Sequence, residues 1–314
     1  MHIAQGETMG TYYRLVTREA ECSASEPAVS AELGKLNAQL STYDPHSTIS
    51  RINQATAYES ILAPEHFQAV LVAADQVWHE TEGAFDVTIG PLVNIWGFGP
   101  NQVTGDQVPD LSAQQEAASV VGMQHVSLAH GYVSKALDRT YIDFSALAKG
   151  YGVDVIAKLL LERGCRNFMV DIGGEIQAHG LSEHDRAWRL GIESPDSSQI
   201  GQIHRVLQLS NFSVATSGDY RNFRVVNGKR VAHVLDPRTG RPASNQVVSA
   251  TVVHPSAMLA DAYATALMVL GEEAGLSFAE RLNLPVYIIL AQPTDAESVW
   301  RVRYNSAMET FLIE

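Results

Sequence analysis

The chain has 314 residues, 46% of them hydrophobic, and a formal net charge of -13. That apolar fraction excludes a disordered protein, and the length suffices for one large domain or two smaller ones. The acidic balance, with no clustered basic patch against it, excludes a nucleic-acid binder. An anionic ligand would therefore need local help from a metal, a lysine or backbone amides.

The elements begin with a strand after Met9-Gly10-Thr11, where Tyr12, Arg14 and Val16 alternate. A helix around Val29 to Leu40 is followed by STYDPHSTISRIN, a turn-rich segment with Pro45. From Pro64 to Glu82, Phe67, Val70, Leu71, Ala74, Val77 and Trp78 fall at helical spacing. GAFDVTIGPLVNIWGFGP reads as buried loop and short strand. At Asp143 begins a strand-to-helix entry, DFSALAKGYGVDVIAKLLLERG, with its helix starting near Leu147 and Gly164 as the stop. RNFMVDIGGEIQAHG reads as two strands joined at Gly173-Gly174. FRVV, Asn227-Gly228 and KRVAHVLD give the strongest hairpin signal in the chain. Late strands, Val247 to Val253 and Val286 to Leu290, flank a helix over Pro255 to Gly271, capped by Ser256 and stopped at Gly271. Hairpins mixed with helices predict an α+β fold with antiparallel sheets, not a doubly wound parallel one.

No run is long and apolar enough to span a bilayer. The opening MHIAQGETMGTYYRLV lacks a basic segment followed by a hydrophobic stretch. Neither a signal peptide nor a lipid-anchored cysteine is expected, and as written the chain is expected in the cytoplasm. A periplasmic or inner-membrane-associated place would follow had an export signal been trimmed. Cys22 and Cys165 lie near no other ligand cluster, so they form no zinc knuckle; a disulfide between them is possible but nothing in the sequence supports it, and structural or incidental thiols are the preferred reading.

Several segments carry groups that chemistry can use. Asp143 or Ser145 can cap the helix near Leu147, leaving first-turn amides for a phosphate, with Lys149 beside them and Gly150 and Gly152 allowing close approach. No GxxxxGK[ST] is present, and a capped helix with a surface lysine explains the same residues. His233, at a strand end before the turn Asp236-Pro237-Arg238-Thr239-Gly240, can serve as a general base or be structural. Ser217-Gly218-Asp219-Tyr220 fits a ligand loop or a tight turn. Tyr43 can stack on a planar ligand or cover core; Phe85 and Trp96 leave the same choice, with core packing the better account of Trp96.

The helix over 255–271 is apolar almost all round yet carries one carboxylate. Asp261 and Thr265, four apart, leave one face a turn from each other. An ionised Asp among Met258, Leu259, Ala262, Ala266 and Leu267 is costly unless its charge is compensated. A carboxylate above a hydroxyl offers hard oxygens, which suit Mg²⁺ better than zinc. The alternative is that Asp261 caps a neighbouring loop or pairs with an arginine.

In order, the chain carries MGT (9–11), STYDPHSTISRIN (41–53), GAFDVTIGPLVNIWGFGP (83–100), DFSALAKGYGVD (143–154), DIGGEI (171–176), ATSGDYRNF (215–223), HVLDPRTGRP (233–242) and ADAYATAL (260–267). That series resembles the ApbE family, the FAD:protein FMN transferases, from Met9 to about Leu290. The resemblance implies an ApbE-like (T-fold-like) architecture: a single domain over 1–314, with room for two lobes holding the FAD and Mg²⁺ site between them.

It also implies a Mg²⁺-dependent enzyme that cleaves the FAD pyrophosphate, releases AMP and attaches FMN through a phosphoester to a Thr or Ser of an acceptor flavoprotein. Asp261, Thr265 and the backbone carbonyl of Ala146 match the metal ligands. Met9, Tyr43, Ala84, Phe85, Asp86, Asp143, Lys149 and Leu235 match positions that contact FAD, and His233 is taken as the base for the acceptor hydroxyl. The same site with water as nucleophile would be an FAD pyrophosphatase giving FMN and AMP; a non-catalytic FAD carrier is the third reading. Glu175 of DIGGEI stands where Asn is expected as often as Glu, and the sequence gives it no role.

Overall fold

A computed structural model describes residues 1–19, 22, 26–99, 108–195, 201–219, 223–226, 229–292 and 300–313. The chain divides into two compact units: Met1–Lys35, Leu147–Arg221 and Asn245–Glu314 form one, Leu36–Ala146 and Asn222–Ser244 the other.

The first unit is built on one antiparallel sheet whose spatial order follows chain order. Its eight strands are β1 (His2–Thr8), β2 (Thr11–Thr17), β3 (Phe168–Ile172), β4 (Glu175–His179), β5 (Phe212–Gly218), β6 (Val247–His254), β7 (Val286–Ala291) and β8 (Trp300–Tyr304). Two hairpins are set by glycine turns. Thr8 pairs Thr11 across Met9-Gly10, and Ile172 pairs Glu175 across Gly173-Gly174, where both glycines have positive φ (64° and 107°). β6 and β7 read as nearly continuous apolar runs, VVSATVVH and VYIILA, because both their faces are covered. On one face, a small sheet of Trp188–Glu193, Ile203–Leu209 and Leu312–Ile313 closes a core of Trp188, Leu207, Leu209, Val253 and Ile289. Against the sheet also pack two helices, α1 (Ala148–Glu162) and α2 (Ala257–Arg281), in contact with each other.

The second unit holds helices Thr48–Gln54, Glu65–Glu80, Gly90–Ile95 and Leu111–Ala118 and a small sheet of Ile61–Leu62, Tyr132–Lys135 and Val126–Ala129. Phe67, Val70, Leu71, Ala74 and Val77 are buried, as the helical spacing predicts. Lys135 is buried here and its ammonium donates to the carbonyls of Asn53, Asp138 and Thr140.

The α+β reading with antiparallel sheets holds. Local differences have local causes. The turn-rich STYDPHSTISRIN contains a helix because Ser47 caps it, accepting from Ser50 N–H at 3.1 Å, and Ile49 and Ile52 bury. GPLVNI, read as loop and strand, is helical because Pro91 lies in the first turn, where its missing N–H costs nothing. Phe223–Val226 pairs antiparallel with Lys229–Ala232 as the hairpin reading requires, while Asn227 and Gly228 lie outside the described residues. That strand ends at Ala232, and Leu235–Asp236 pairs instead with Arg241–Pro242. Gly271 does end the helical geometry, with φ 79° and ψ -172°, but the chain resumes as helix to Arg281.

One expectation is overturned: Cys22 and Cys165 are joined by a disulfide. Their separation of 143 residues hides the pairing. Folding brings them together because Arg18 N–H donates to the Asn167 carbonyl at 3.0 Å, holding the chain that leaves β2 beside the residues that lead into β3.

Candidate functional site

The site begins where α1 and α2 start. A Cβ on Gly150 would lie 2.3 Å from the Ala257 carbonyl oxygen, so only glycine lets the two helix starts approach this closely. Each helix then supplies a carboxylate to the other. Asp154 of α1 caps α2: it accepts from Ser256 Oγ (2.6 Å), Ala257 N–H (2.7 Å) and Met258 N–H (3.1 Å). Ser256 also caps the helix as read, accepting from Leu259 N–H. Asp261 of α2 accepts from Gly150 N–H in the first turn of α1, at 3.2 Å.

The predicted cap of α1 is corrected. Leu147 occupies the N-cap position with no side-chain bond, because the Asp143 carboxylate is taken by the N–H and hydroxyl of Ser145 two residues on.

Lys149 lies between two buried carboxylates. Its Nζ is 3.3 Å from Glu175 Oε1 and 3.7 Å from Asp261 Oδ2. Asp261 is 3% exposed and Glu175 4%, whereas the Lys149 side chain keeps 28% of its surface. Burial alone would push the Lys149 ammonium down, but the paired carboxylates outweigh it and hold the group above its ordinary value. Burial, with repulsion from Asp261, raises the Glu175 carboxyl above its ordinary value, against the opposing pull of Lys149. Burial raises Asp261 too, against the opposing pull of Lys149. Thr265, one turn along α2, shares a 3.1 Å hydrogen bond with Ser217 Oγ of β5.

These are hard oxygen donors beside an ammonium and a helix-start amide, the chemistry of a divalent cation and a phosphate. Among the described residues no three His, Cys, Asp or Glu side chains gather where they could hold a metal ion.

The first unit thus brings together Lys149, Asp261 and Thr265 of the predicted residues. Met9 joins them at the β1–β2 turn, its Cε 3.1 Å from where a Cβ on Gly152 would sit. Tyr43, Ala84, Phe85, Asp86, Asp143, Ala146, His233 and Leu235 belong to the second unit. There Tyr43 is exposed, while Ala84 and Phe85 are core. Asp86 is buried and accepts from Thr88 N–H, Thr88 Oγ1 and Met123 N–H; burial raises its carboxyl above the ordinary range. Ala146 stands in the turn before α1. The His233 ring is edge-on to Phe98 at 6.3 Å, and Leu235 packs with Leu92, Trp96 and Ala117. Trp96 is core, as expected, its indole N–H donating to the Gly240 carbonyl at 3.2 Å. Ser217 and Gly218 end β5 rather than form a loop or turn, and Tyr220 lies outside the described residues.

Two residues at the site went without a role in the sequence reading, Glu175 and Asp154. The available signal for Glu175 was a charged residue opening a strand directly after a glycine turn.

Comparison with known proteins converges on one family. A model of the ApbE family matches residues 9–288. A curated FAD:protein FMN transferase of Vibrio cholerae is 40% identical over 289 residues, covering 91% of this chain and 86% of that protein. The solved flavin transferase ApbE from Vibrio cholerae superposes with a TM-score of 0.88 at 37% identity, covering 99% of both chains. The Pseudomonas stutzeri flavinyl transferase ApbE, apo form, gives 0.89 at 32% identity, covering 98% of this chain and 96% of that one.

Proposed function

Because this chain belongs to the ApbE family, we infer that it is a Mg²⁺-dependent FAD:protein FMN transferase acting on a Thr or Ser of an acceptor flavoprotein. The observation that carries this is the convergence of Lys149, the Gly150 amide and the buried Asp261 at two helix starts. Asp261, Thr265 and the Ala146 carbonyl would hold the cation, which when bound neutralises pyrophosphate charge and the charge developing on the leaving AMP. Lys149 adds donors to the same anion, which a chain of net charge -13 would otherwise repel. Met9, Tyr43, Ala84, Phe85, Asp86, Asp143 and Leu235 are assigned to FAD contact. His233 takes the proton of the acceptor hydroxyl as its oxygen bonds to the FMN phosphorus and the bond to AMP breaks.

The test combines pure protein, FAD and Mg²⁺ with and without a threonine-bearing acceptor domain, following AMP and acceptor mass together. AMP with an FMN-sized mass gain on the acceptor is the expected result. AMP without that gain would replace the transferase by a pyrophosphatase, and no AMP would leave a carrier. His233→Ala should slow transfer by roughly 100-fold or more while leaving FAD affinity near wild type. Equal losses in both would remove it as the base.

An oxidising compartment, rather than the cytoplasm expected from the opening sequence, is the proposed place of action. The Cys22–Cys165 disulfide supports this, since such bonds persist where thiols are not kept reduced. Protein isolated from its native cells should show no titratable thiol; two free thiols would return it to the cytoplasm. Among the described residues no helix is long and apolar enough to cross a membrane.

A further inference from the structure

Glu175 is the residue at this site with no assigned task and with the least ordinary environment. It opens β4 directly after the Gly173-Gly174 turn, where its main chain pairs with Ile172 of β3, and β5 joins the other edge of β4 from Ile176 on. Asp171 locks that turn, accepting from Gly174 N–H at 3.0 Å and from the Tyr12 hydroxyl at 3.3 Å. The Lys149 stem passes over Gly173, where an added Cβ would lie 3.4 Å from Lys149 Cδ and 2.8 Å from Thr11 Cγ2. Lys149 is thereby led to Glu175 rather than meeting it by chance.

Glu175 Oε2 is buried and has no hydrogen-bond partner among the described residues. Leaving such an oxygen unpaired costs free energy, and a neutral glutamine of the same shape would fit the site at lower cost. Packing therefore does not account for a carboxylate here. Nor can this oxygen reach a substrate, since it is closed to solvent. Its reach extends to Lys149, which sits nearer to Glu175 (3.3 Å) than to Asp261 (3.7 Å).

We propose that Glu175 is a positioning residue for Lys149: it takes the ammonium onto its own carboxylate and so keeps Lys149 from closing a private ion pair with Asp261. The proposal rests on the reading of Asp261 as a metal ligand. An ammonium and a divalent cation compete for the same carboxylate. A buried Lys149–Asp261 pair with no third partner would have to be broken before the cation could bind, leaving an uncompensated charge. With Glu175 in place, Lys149 keeps an anion whichever way Asp261 is committed. It stays at the site with a side chain open enough to meet a phosphate.

The test uses Mn²⁺ alone as probe, its free concentration read by electron paramagnetic resonance, with neither FAD nor acceptor present. E175Q should weaken Mn²⁺ binding by roughly 10- to 100-fold, the usual scale for residues that orient a ligand, while melting no lower than wild type. E175D, which keeps the charge but draws it back from Nζ, should weaken binding in the same direction. Adding K149M should abolish the effect, so that E175Q/K149M binds Mn²⁺ as K149M does. Wild-type affinity in E175Q and E175D would overturn the proposal. So would an undiminished loss in the K149M background, which would mean that Glu175 acts through its own charge. D261A separates the two readings. Full Mn²⁺ binding without Asp261 would remove the metal assignment itself, whereas loss in D261A with no effect of either Glu175 variant would remove the positioning role alone.

Discussion

The two helix starts of the first unit are built from the same parts and end in different states. Both take an aspartate from the neighbouring helix at a first turn, Asp261 buried and Asp154 half-buried. Asp154 has both oxygens bonded: a hydroxyl and two backbone amides donate to them, and it finishes the start of α2. Asp261 receives one backbone amide and shares an ammonium with a second buried carboxylate. Burial raises both carboxyls, so burial does not separate structure from chemistry here. The number of donors does: a carboxylate with both oxygens bonded by three donors holds a helix, and one left short of donors can take a cation.

The sharpest way to break this contrast is to remove each aspartate in turn. Asp261→Ala should lower FMN transfer by roughly 100- to 1,000-fold, the scale of a lost electrostatic stabiliser, while melting near wild type. Asp154→Ala should do the reverse, lowering stability by about 1–3 kcal/mol through unpaired amides and keeping turnover at temperatures where the chain stays folded. Equal effects of the two on activity would dissolve the distinction. Gly150→Ala should erase it from the other side. A Cβ there meets the Ala257 carbonyl at 2.3 Å, so melting and transfer should fall together, with a stability loss of about 1–3 kcal/mol.

Away from the two helix starts, reducing the Cys22–Cys165 bond should cost roughly 2–4 kcal/mol by freeing a long loop in the unfolded chain, read as a lower melting temperature at unchanged pH. This bond fastens the far end of the helix whose start bears Lys149, and it tests whether the site depends on that anchor. A melting temperature that does not move on verified reduction would show that it does not.

Local chemistry was readable along the chain. Asp261 and Thr265 share a face because helical spacing fixes it, Ser256 caps because its hydroxyl reaches the amide three residues on, and Gly173-Gly174 turns because both positions need positive φ. Gly271 was readable as the end of a helix, though not the helix that resumes beyond it. The motif order carried the family and, with it, the fold class.

What the sequence determined by itself, then, is the main strands and helices, the hard oxygens on one helix face and the family, since spacing, caps and turns act over a few residues. The tertiary structure decided which charges meet. Asp261 finds Gly150 across 111 residues, Ser256 finds Asp154 across 102, and Cys22 finds Cys165 across 143. No local propensity encodes such pairs, because they arise only when the sheet has closed and two helices have packed at a glycine. Glu175 acquires its role in the same way: its partner is chosen by the fold, and its unpaired oxygen exists only once the surrounding chain has excluded water.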